Sequence, residues 1–211
     1  VAIPAVVLTH FHADHVAGIA GVLTGRDVGI VLTSPLQDPQ DQARLVNEVA
    51  SASAQVPEPI TAGDVRRVGQ VSWRALWPRR IIRAGSVPNN ASVVLLVEVA
   101  GTSVLLTGDI EPEAQRAILD EVPRVDIVKV PHHGSRLQLQ EFADAASAPV
   151  ALISVGEGND YGHPAQEALD LYGSRGATVL RTDLLGDVEI VQSEPGGDLG
   201  VVTRGGMLPS S

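Results

Sequence analysis

Short apolar runs alternate with amphipathic segments along almost the whole chain, and this alternation limits the possible folds more than any other feature of the sequence. Before residue 80 it predicts strands at 6–8, 28–32 and 71–77 and helices at 16–23 and 38–54. After residue 110 it predicts helices at 111–121, 138–146 and 165–174 and strands at 125–130, 150–155, 178–181 and 188–191. Strands that alternate with helices indicate a layered α/β protein with helices packed on the faces of a sheet.

Composition supports one such core. Aromatic residues make up 3% of the 211 residues while 44% are hydrophobic, so Val, Leu, Ile and Ala must fill the interior. No apolar run approaches the roughly 20 residues that a membrane-spanning helix needs. The net charge of -10 argues against a nonspecific coat of nucleic acid and leaves room for a local site. Since the chain has no cysteine, a bound metal must be held by histidine and carboxylate side chains.

We divide the chain into a domain at residues 1–192 and a flexible tail at 193–211. The tail is rich in glycine and ends in two serines, a composition typical of loose termini. The chain begins with Val1 and its only methionine is Met207, so we expect that a further segment precedes it.

The six histidines fall in three short segments, THFHADH at 9–15, VPHHGS at 130–135 and NDYGHP at 159–164. A single histidine is most often a surface or hydrogen-bonded core residue. Here each segment follows a predicted strand, so the imidazoles are expected to meet at one edge of the sheet, where neutral nitrogens bind metals readily.

The first segment has the pattern H-x-H-x-D-H. Side chains alternate along an extended loop, so His10 and His12 can reach one ion, while Asp14 and His15 turn toward a second. Two divalent ions about 3.5–4 Å apart form the clamp of many hydrolases. Asp109 ends the hairpin predicted at 92–99 and 103–106 and is a candidate bridging ligand, although a helix N-cap is the alternative for an isolated Gly-Asp pair.

At these residues the chain resembles the metallo-β-lactamase fold superfamily and, within it, the domain found in ComEC-type DNA-internalisation competence proteins. The resemblance is carried by LTHFHADHVAGI, NNASVVLLVEVAGTSVLLTGDIE, DIVKVPHHGS and NDYGHPAQEAL, and spans roughly residues 6–190. It implies a four-layer αββα fold that is N-terminally truncated here, because the family's first strands precede the H-x-H-x-D-H motif.

The resemblance also implies a site with two divalent metal ions. His10 and His12 would bind the first ion, Asp14, His15 and His163 the second, and Asp109 would bridge them. The family's third histidine on the first ion is missing from residues 88–92, so Asn90 or a water would replace it, and the metal would be Zn or the more oxygen-preferring Mn.

Catalytic and substrate-contacting roles follow from the same resemblance. Asp14 would act in catalysis as well as ligation, and His132 or His133 would protonate a leaving oxygen, although either could instead be a ligand. Ser135, like Asn90, is a candidate contact to substrate, with a plain turn as the alternative. Lys129 and Arg136 either meet a phosphate or belong to the solvated surface.

The histidine motifs and the family resemblance together favour a metal-dependent phosphodiesterase or nuclease that acts on DNA during uptake for transformation. Its partners would be DNA and the membrane channel portion of the same full-length protein, on the extracellular face of the plasma membrane. The alternatives are a small-molecule metallohydrolase of the lactonase or β-lactamase type, and a noncatalytic DNA-binding or scaffolding domain with a degenerate metal site.

Overall fold

The computed structural model describes residues 1–204 and 206–208, the last three for their backbone alone. The strands are β1 (Ala2–Ile3), β2 (Val6–Leu8), β3 (Asp27–Val28), β4 (Val31–Thr33), β5 (Glu58–Pro59), β6 (Val65–Val68), β7 (Val71–Trp77), β8 (Val94–Val99), β9 (Thr102–Leu106), β10 (Ile127–Lys129), β11 (Val150–Ile153), β12 (Thr178–Arg181), β13 (Val188–Gln192), β14 (Leu199–Thr203) and β15 (Gly206–Leu208). The helices are α1 (Ala13–Val16), α2 (Ile19–Leu23), α3 (Gln40–Ala52), α4 (Val87–Asn90), α5 (Pro112–Ala117), α6 (Gln140–Ala146), α7 (Gln166–Gly173) and α8 (Thr182–Leu185), with 3-10 turns at Leu119–Glu121 and Pro131–Gly134.

A mixed seven-stranded sheet forms the centre of the molecule, in the order β12-β11-β10-β9-β8-β7-β6. The strands from β6 to β9 are antiparallel, and β8 and β9 form the predicted hairpin with Val99 opposite Thr102. From β9 to β12 the strands are parallel. A second, parallel sheet has the order β2-β4-β5, and β1 pairs with β3.

Two helical layers enclose the two sheets. Helices α5, α6 and α7 cover one face of the large sheet through Ala114, Phe142 and Tyr172, respectively. Its other face meets the small sheet, where Leu32 and Ile60 pack against Trp73 and neighbouring residues of β7 and β8. Helices α1 to α3 cover the outside of the small sheet, since α3 turns Ala43, Val46 and Ala50 toward it. The order α, β, β, α confirms the predicted four-layer fold.

The structure departs from the predicted elements where local signals are weak. The helix predicted at 16–23 is two short helices that break after Val16, and the strand predicted at 28–32 is divided between β3 and β4. The division arises because the amide of Gly29 donates to Ile3 while the amide of Val6 donates to Ile30, so this stretch passes from one sheet to the other. Strand β6 and the four-residue helix α4 were not predicted.

The segment after residue 192 contains regular structure. Strands β13, β14 and β15 form an antiparallel sheet, with Val188 opposite Thr203. Leu199 and Val201 pack with Ile127, Val150 and Leu180 at the end of the large sheet. Residues 199–203 and 206–208 are therefore strands and not irregular chain, while residues 205 and 209–211 lie outside the described residues. The flexibility of the tail and the domain boundary at residue 192 stay predictions.

Candidate metal centre

Four segments converge on one cavity because each of them leaves the carboxyl end of a strand. They follow β2, β9, β10 and β11, and the last three strands are parallel neighbours whose carboxyl ends share one edge. The cavity has a volume of about 710 Å³, and the predicted site residues that line it are His12, Asp14, Asp109, His132, His133 and His163.

Four side chains form a tight donor cluster at this edge, namely Asp14, His15, Asp109 and His133, whose donor atoms all lie within 4.8 Å of one another. The Nε2 atoms of His15 and His133 are 3.2 Å apart. Oδ2 of Asp109 lies 3.1 Å from the first of these nitrogens and 3.2 Å from the second. Oδ2 of Asp14 lies 3.5 Å and 3.3 Å from the same two nitrogens.

This donor set fits a divalent cation. Four donors placed 2.0–2.1 Å from an ion at tetrahedral corners lie roughly 3.4 Å apart, which is close to the separations in the cluster. Oδ1 of Asp109 is buried and has no hydrogen-bond partner among the described residues, so this carboxylate keeps an oxygen for a further ligand or ion. Imidazole and carboxylate donors suit Zn and Mn alike.

His10 and His12 form a second pair of donors beside the cluster. Nε2 of His10 lies 3.1 Å from Nδ1 of His12, and the His10 ring centroid is 4.1 Å from that of His15. Nδ1 of the buried His10 lies 3.2 Å from the hydroxyls of both Thr9 and Ser92. A ring N–H that donates to a hydroxyl leaves the opposite nitrogen free for a cation, so the geometry fits the predicted first metal position.

The electrostatics of the metal-free cluster are dominated by shared hydrogen bonds. Bonds to Asp109 and Asp14 raise the pKa of His133 to about 9. The bond from His133 lowers the pKa of Asp14 to about 2. Burial alone would raise the pKa of Asp109, but bonds from His133 and His15 together with the charge of Lys129 bring it well below its usual range. The two carboxylates are therefore charged at neutral pH.

Lys129 is the chain's only lysine and lies against this cluster. Its Nζ donates to the carbonyl of Gly108 at 3.0 Å and lies 3.7 Å from Oδ1 of Asp109. Only 20% of its side chain is exposed, and burial lowers its pKa although the Asp109 carboxylate acts in the opposite direction. Lys129 is therefore not a solvated surface residue, while its predicted contact with a phosphate stays a prediction.

The turn after β10 has an unusual backbone that separates the two adjacent histidines. His132 and His133 have φ values of 49° and 52°, and Gly134 follows at 75°. Left-handed conformations are costly for residues with a Cβ and concentrate at functional sites. This turn directs His133 into the donor cluster, where its Nδ1 lies 2.7 Å from the carbonyl of Ser154.

His132 instead lies with His163, at a ring-centroid distance of 5.4 Å. Within the part of the chain that the structure describes, Nδ1 of each ring is buried without a hydrogen-bond partner, and Nδ1 of His132 is 3.7 Å from Oε1 of Glu111. Burial lowers the pKa of both histidines. The structure thus places His133, and not the predicted His163, in the four-residue cluster.

Asn90 and Ser135 do not line the cavity. Oδ1 of Asn90 accepts from the amides of Glu111 and Ala114 at the start of α5, and its Nδ2 donates to Ala84 and Glu113. The buried Ser135 accepts at its hydroxyl from the amide of Leu137, as in a tight turn. Both side chains are occupied by structural bonds, and their predicted contact with substrate finds no support in these positions.

The sequence did not reveal two groups that orient the histidines, Ser92 beside His10 and the Ser154 carbonyl beside His133. Ser92 also accepts from the amide of Asp109 at 3.1 Å, so one hydroxyl links the two predicted metal positions. The only feature of the sequence that pointed to Ser92 was its position two residues after Asn90, in the segment 88–92 that lacks the family's third histidine.

Residues 2–157 match a family model whose description is "Metallo-beta-lactamase superfamily". ComE operon protein 3 of Bacillus subtilis is 33% identical over 191 residues, which cover 88% of this chain and 24% of that protein. Competence protein ComA of Neisseria gonorrhoeae is 30% identical over 105 residues, which cover 48% of this chain and 15% of that protein. The chain thus spans a quarter or less of the length of these relatives.

Solved structures agree on the fold. The metallo-beta-lactamase fold protein YhfI from Bacillus subtilis matches with a TM-score of 0.54 at 13% identity, covering 85% of this chain and 74% of YhfI. Zn(2+)-bound PqqB from Methylobacterium extorquens matches with a TM-score of 0.51 at 16% identity, covering 85% of this chain and 69% of PqqB. At such identities the likeness concerns the fold alone.

Proposed function

The chain belongs to the metallo-beta-lactamase superfamily, and its curated relatives include ComE operon protein 3 and competence protein ComA; from that premise we propose that it is a metal-dependent phosphodiesterase that cleaves DNA. The observation that carries the proposal is the cluster of four donors from Asp14, His15, Asp109 and His133, directly beside the His10–His12 pair. Retention of these donors in one place argues against a degenerate, noncatalytic domain.

We assign the predicted pair of divalent ions to these two groups of donors. The ions would supply Lewis acidity and a water of lowered pKa when bound. Asp109 belongs to the four-donor cluster through the contacts of its Oδ2 with His15 and His133, and its amide donates to the Ser92 hydroxyl that also lies 3.2 Å from Nδ1 of His10, so it is linked to both groups. His163 is the predicted ligand that lies farther from the cluster, beside His132.

His132 is the residue best placed to give a proton to a leaving oxygen. It lines the cavity, and its Nδ1 is buried without a hydrogen-bond partner among the described residues, whereas His133 is engaged by the two aspartates and by Ser154. The doubly protonated ring is the form that can give up a proton: its Nδ1–H would face Oε1 of Glu111 at 3.7 Å, a carboxylate that favours the charged imidazole, and the proton on Nε2 would pass to the leaving oxygen and leave a neutral ring. Proton transfer from such a group contributes about 10²–10⁴-fold to a rate.

DNA is the proposed substrate because of the resemblance to the competence proteins. A phosphodiester is an anion, and cations in the cavity would offset the net charge of -10 that otherwise repels it. The proposed partners are DNA and the membrane channel portion of a longer protein, with the domain on the outer face of the plasma membrane. No helix within the described ranges combines the length and the apolar character required to traverse a bilayer.

The test is hydrolysis by the purified chain with Mn²⁺ or Zn²⁺. We expect cleavage of DNA that stops in a chelator, and a loss of at least about 100-fold in kcat in Asp109→Asn and Asp14→Asn. Asp41→Asn, on the exposed face of α3, is the matched control and keeps full activity. DNA cleavage that survives both site variants would exclude the metal mechanism.

The same assay includes nitrocefin as a second substrate. Turnover of nitrocefin without cleavage of DNA would favour a small-molecule hydrolase. Binding of DNA without cleavage, at unchanged affinity in a chelator, would favour a noncatalytic domain.

A further inference from the structure

One aromatic side chain differs from all the others in its position. Of the two Phe, two Trp and two Tyr residues, five have at most 9% of their surface exposed, namely Phe11, Trp73, Trp77, Phe142 and Tyr172. Tyr161 is 85% exposed, and it lines the same cavity as Asp109 and His133. A ring in this position contributes nothing to the core, which makes a ligand the natural partner for its faces.

The loop that carries Tyr161 is fixed to the metal centre at both ends. At its start, the Ser154 carbonyl lies 2.7 Å from Nδ1 of His133, and at its end the amide of Ala165 donates to Gly134 at 2.8 Å. Asn159 braces the middle, since its Nδ2 donates to the carbonyls of Gly156 and His163. The backbone that carries Tyr161 is therefore anchored beside the donor cluster.

Beyond the donor cluster, the cavity wall near this ring is largely uncharged. Val155, Gly156 and Thr182 line it, and the Thr182 hydroxyl is already used, donating to the carbonyl of Val155 and accepting from its amide. A volume of about 710 Å³ lies within the roughly 300–1,000 Å³ of small-molecule clefts. An uncharged wall of this kind is compatible with a flat heteroaromatic group in the cavity that Tyr161 also lines.

We propose that Tyr161 is a stacking platform for a nucleobase next to the phosphodiester at the metal centre, which makes single-stranded nucleic acid the preferred substrate. This inference rests on the proposed phosphodiesterase function. An acidic chain gains little from long-range attraction to phosphates, so base stacking is a needed source of affinity. Bases in a duplex are already stacked on their neighbours and do not present a free face to the ring.

The kinetic test compares Tyr161→Ala, Tyr161→Phe and wild type on three Mn²⁺-dependent substrates. These are a single-stranded oligothymidylate, the same strand with abasic residues around the scissile bond, and a duplex. We expect Tyr161→Ala to raise KM for the oligothymidylate by about 5- to 150-fold, with kcat within about twofold. Tyr161→Phe, which keeps the ring face, and Val56→Ala, another exposed apolar site that does not line the cavity, should match wild type.

The abasic strand gives the decisive comparison, because wild type and Tyr161→Ala should cleave it equally. The KM difference on oligothymidylate should also persist between low and high salt, since stacking is not screened. If Tyr161→Ala cleaves the base-bearing strand as wild type does, the stacking role is excluded while the phosphodiesterase function stands.

A binding measurement distinguishes failure of the stacking role of Tyr161 from failure of the proposed phosphodiesterase function. Fluorescence anisotropy of a labelled single strand, with Ca²⁺ in place of Mn²⁺, reports affinity without hydrolysis. Weaker binding by Tyr161→Ala supports the stacking role even if wild type cleaves no phosphodiester, in which case only the proposed function fails. Equal binding by the two proteins overturns the inference.

Discussion

Lys129 places its side-chain ammonium group against the most buried carboxylate of the metal centre. The contact of 3.7 Å between its Nζ and Oδ1 of Asp109 is shielded from water, since only 3% of the Asp109 side chain is exposed. A buried carboxylate that loses a cationic neighbour is destabilised, although here two histidines still donate to it. Lys129 therefore balances charge before any ion is bound.

We predict that Lys129→Met lowers the stability of the chelator-treated protein by about 1–3 kcal/mol, or a few degrees in Tm. Added Mn²⁺ should raise the Tm of this variant more than that of wild type, because a cation bound by Asp109 restores the missing charge. Differential scanning fluorimetry with and without Mn²⁺ measures both effects, and Arg44→Met on the exposed face of α3 is the control. An equal Tm gain in variant and wild type would contradict the charge-balancing role.

Two histidines give the metal-free protein a stability maximum near neutral pH. The pKa of His133 is raised from 6.5 to about 9, so the stabilisation from its bound proton is complete below pH 6.5 and is lost as pH rises through 9. The pKa of His10 is lowered from 6.5 to about 3, mainly by burial. As the pH falls, the His10 imidazole is therefore protonated in the unfolded chain before it is protonated in the folded protein. The free energy of unfolding decreases for this reason below pH 6.5.

We predict that Tm in a chelator is highest near pH 6.5 and declines on both sides between pH 4.5 and 9.5. His133→Gln should flatten the alkaline limb and leave the acidic one in place, whereas His10→Gln should make the acidic limb shallower without removing it, because burial also lowers the pKa of His132 and His163. Thermal melts across this pH range are the measurement, and an alkaline limb that is unchanged in His133→Gln would refute the assignment.

At the scale of elements, the turn after β9 sets the position of Asp109. Gly108 has φ of +54°, and a Cβ there would lie 2.7 Å from Cβ of Ser92 and 3.1 Å from Cβ of Thr9. Its carbonyl also accepts from Lys129 and from the amide of His132. Gly108 therefore packs closely against a residue that follows β2 of the small sheet, Thr9, and against a residue that precedes β8 of the large sheet, Ser92.

We predict that Gly108→Ala destabilises the protein by about 1–3 kcal/mol and lowers its metal content, because the turn must shift away from Ser92. Gly21→Ala is the matched control, since α2 leaves open space around that Cβ, and helix propensity should make it neutral or stabilising by about 0.4–1 kcal/mol. Thermal melts and metal analysis of the purified variants test this, and full metal content in Gly108→Ala would contradict it.

At the scale of the whole molecule, the sheet formed by β13, β14 and β15 covers one end of the central sheet. Leu199 and Val201 pack there with Ile127, Val150 and Leu180. Removal of these two residues would expose apolar side chains of β10, β11 and β12 to water, at a cost of about 25 cal/mol for each Å².

We predict that truncation after residue 192 lowers Tm by several degrees and increases binding of a hydrophobic dye. The measurement is a thermal melt of the full and the truncated chain together with dye fluorescence. An unchanged Tm after the truncation would support the domain boundary at residue 192 and an independent tail.

The sequence alone determined the layered α/β fold and the meeting of the three histidine segments with Asp109. Apolar runs of strand length mark the strands, and parallel neighbours bring the residues that follow them to the same edge. The H-x-H-x-D-H spacing likewise placed His10 and His12 side by side, because neighbouring side chains in a short loop follow from local geometry.

Only the tertiary structure decided which histidine completes the donor cluster and what the neighbouring polar residues do. The choice of His133 over His163 depends on two left-handed residues in the turn after β10, and the structural role of Asn90 depends on α5 lying beside it. The contacts of Ser92 and Lys129 and the exposure of Tyr161 in the cavity were likewise evident only from the structure. These relations join positions far apart in the chain, and side-chain direction across such contacts is fixed by packing and not by local sequence.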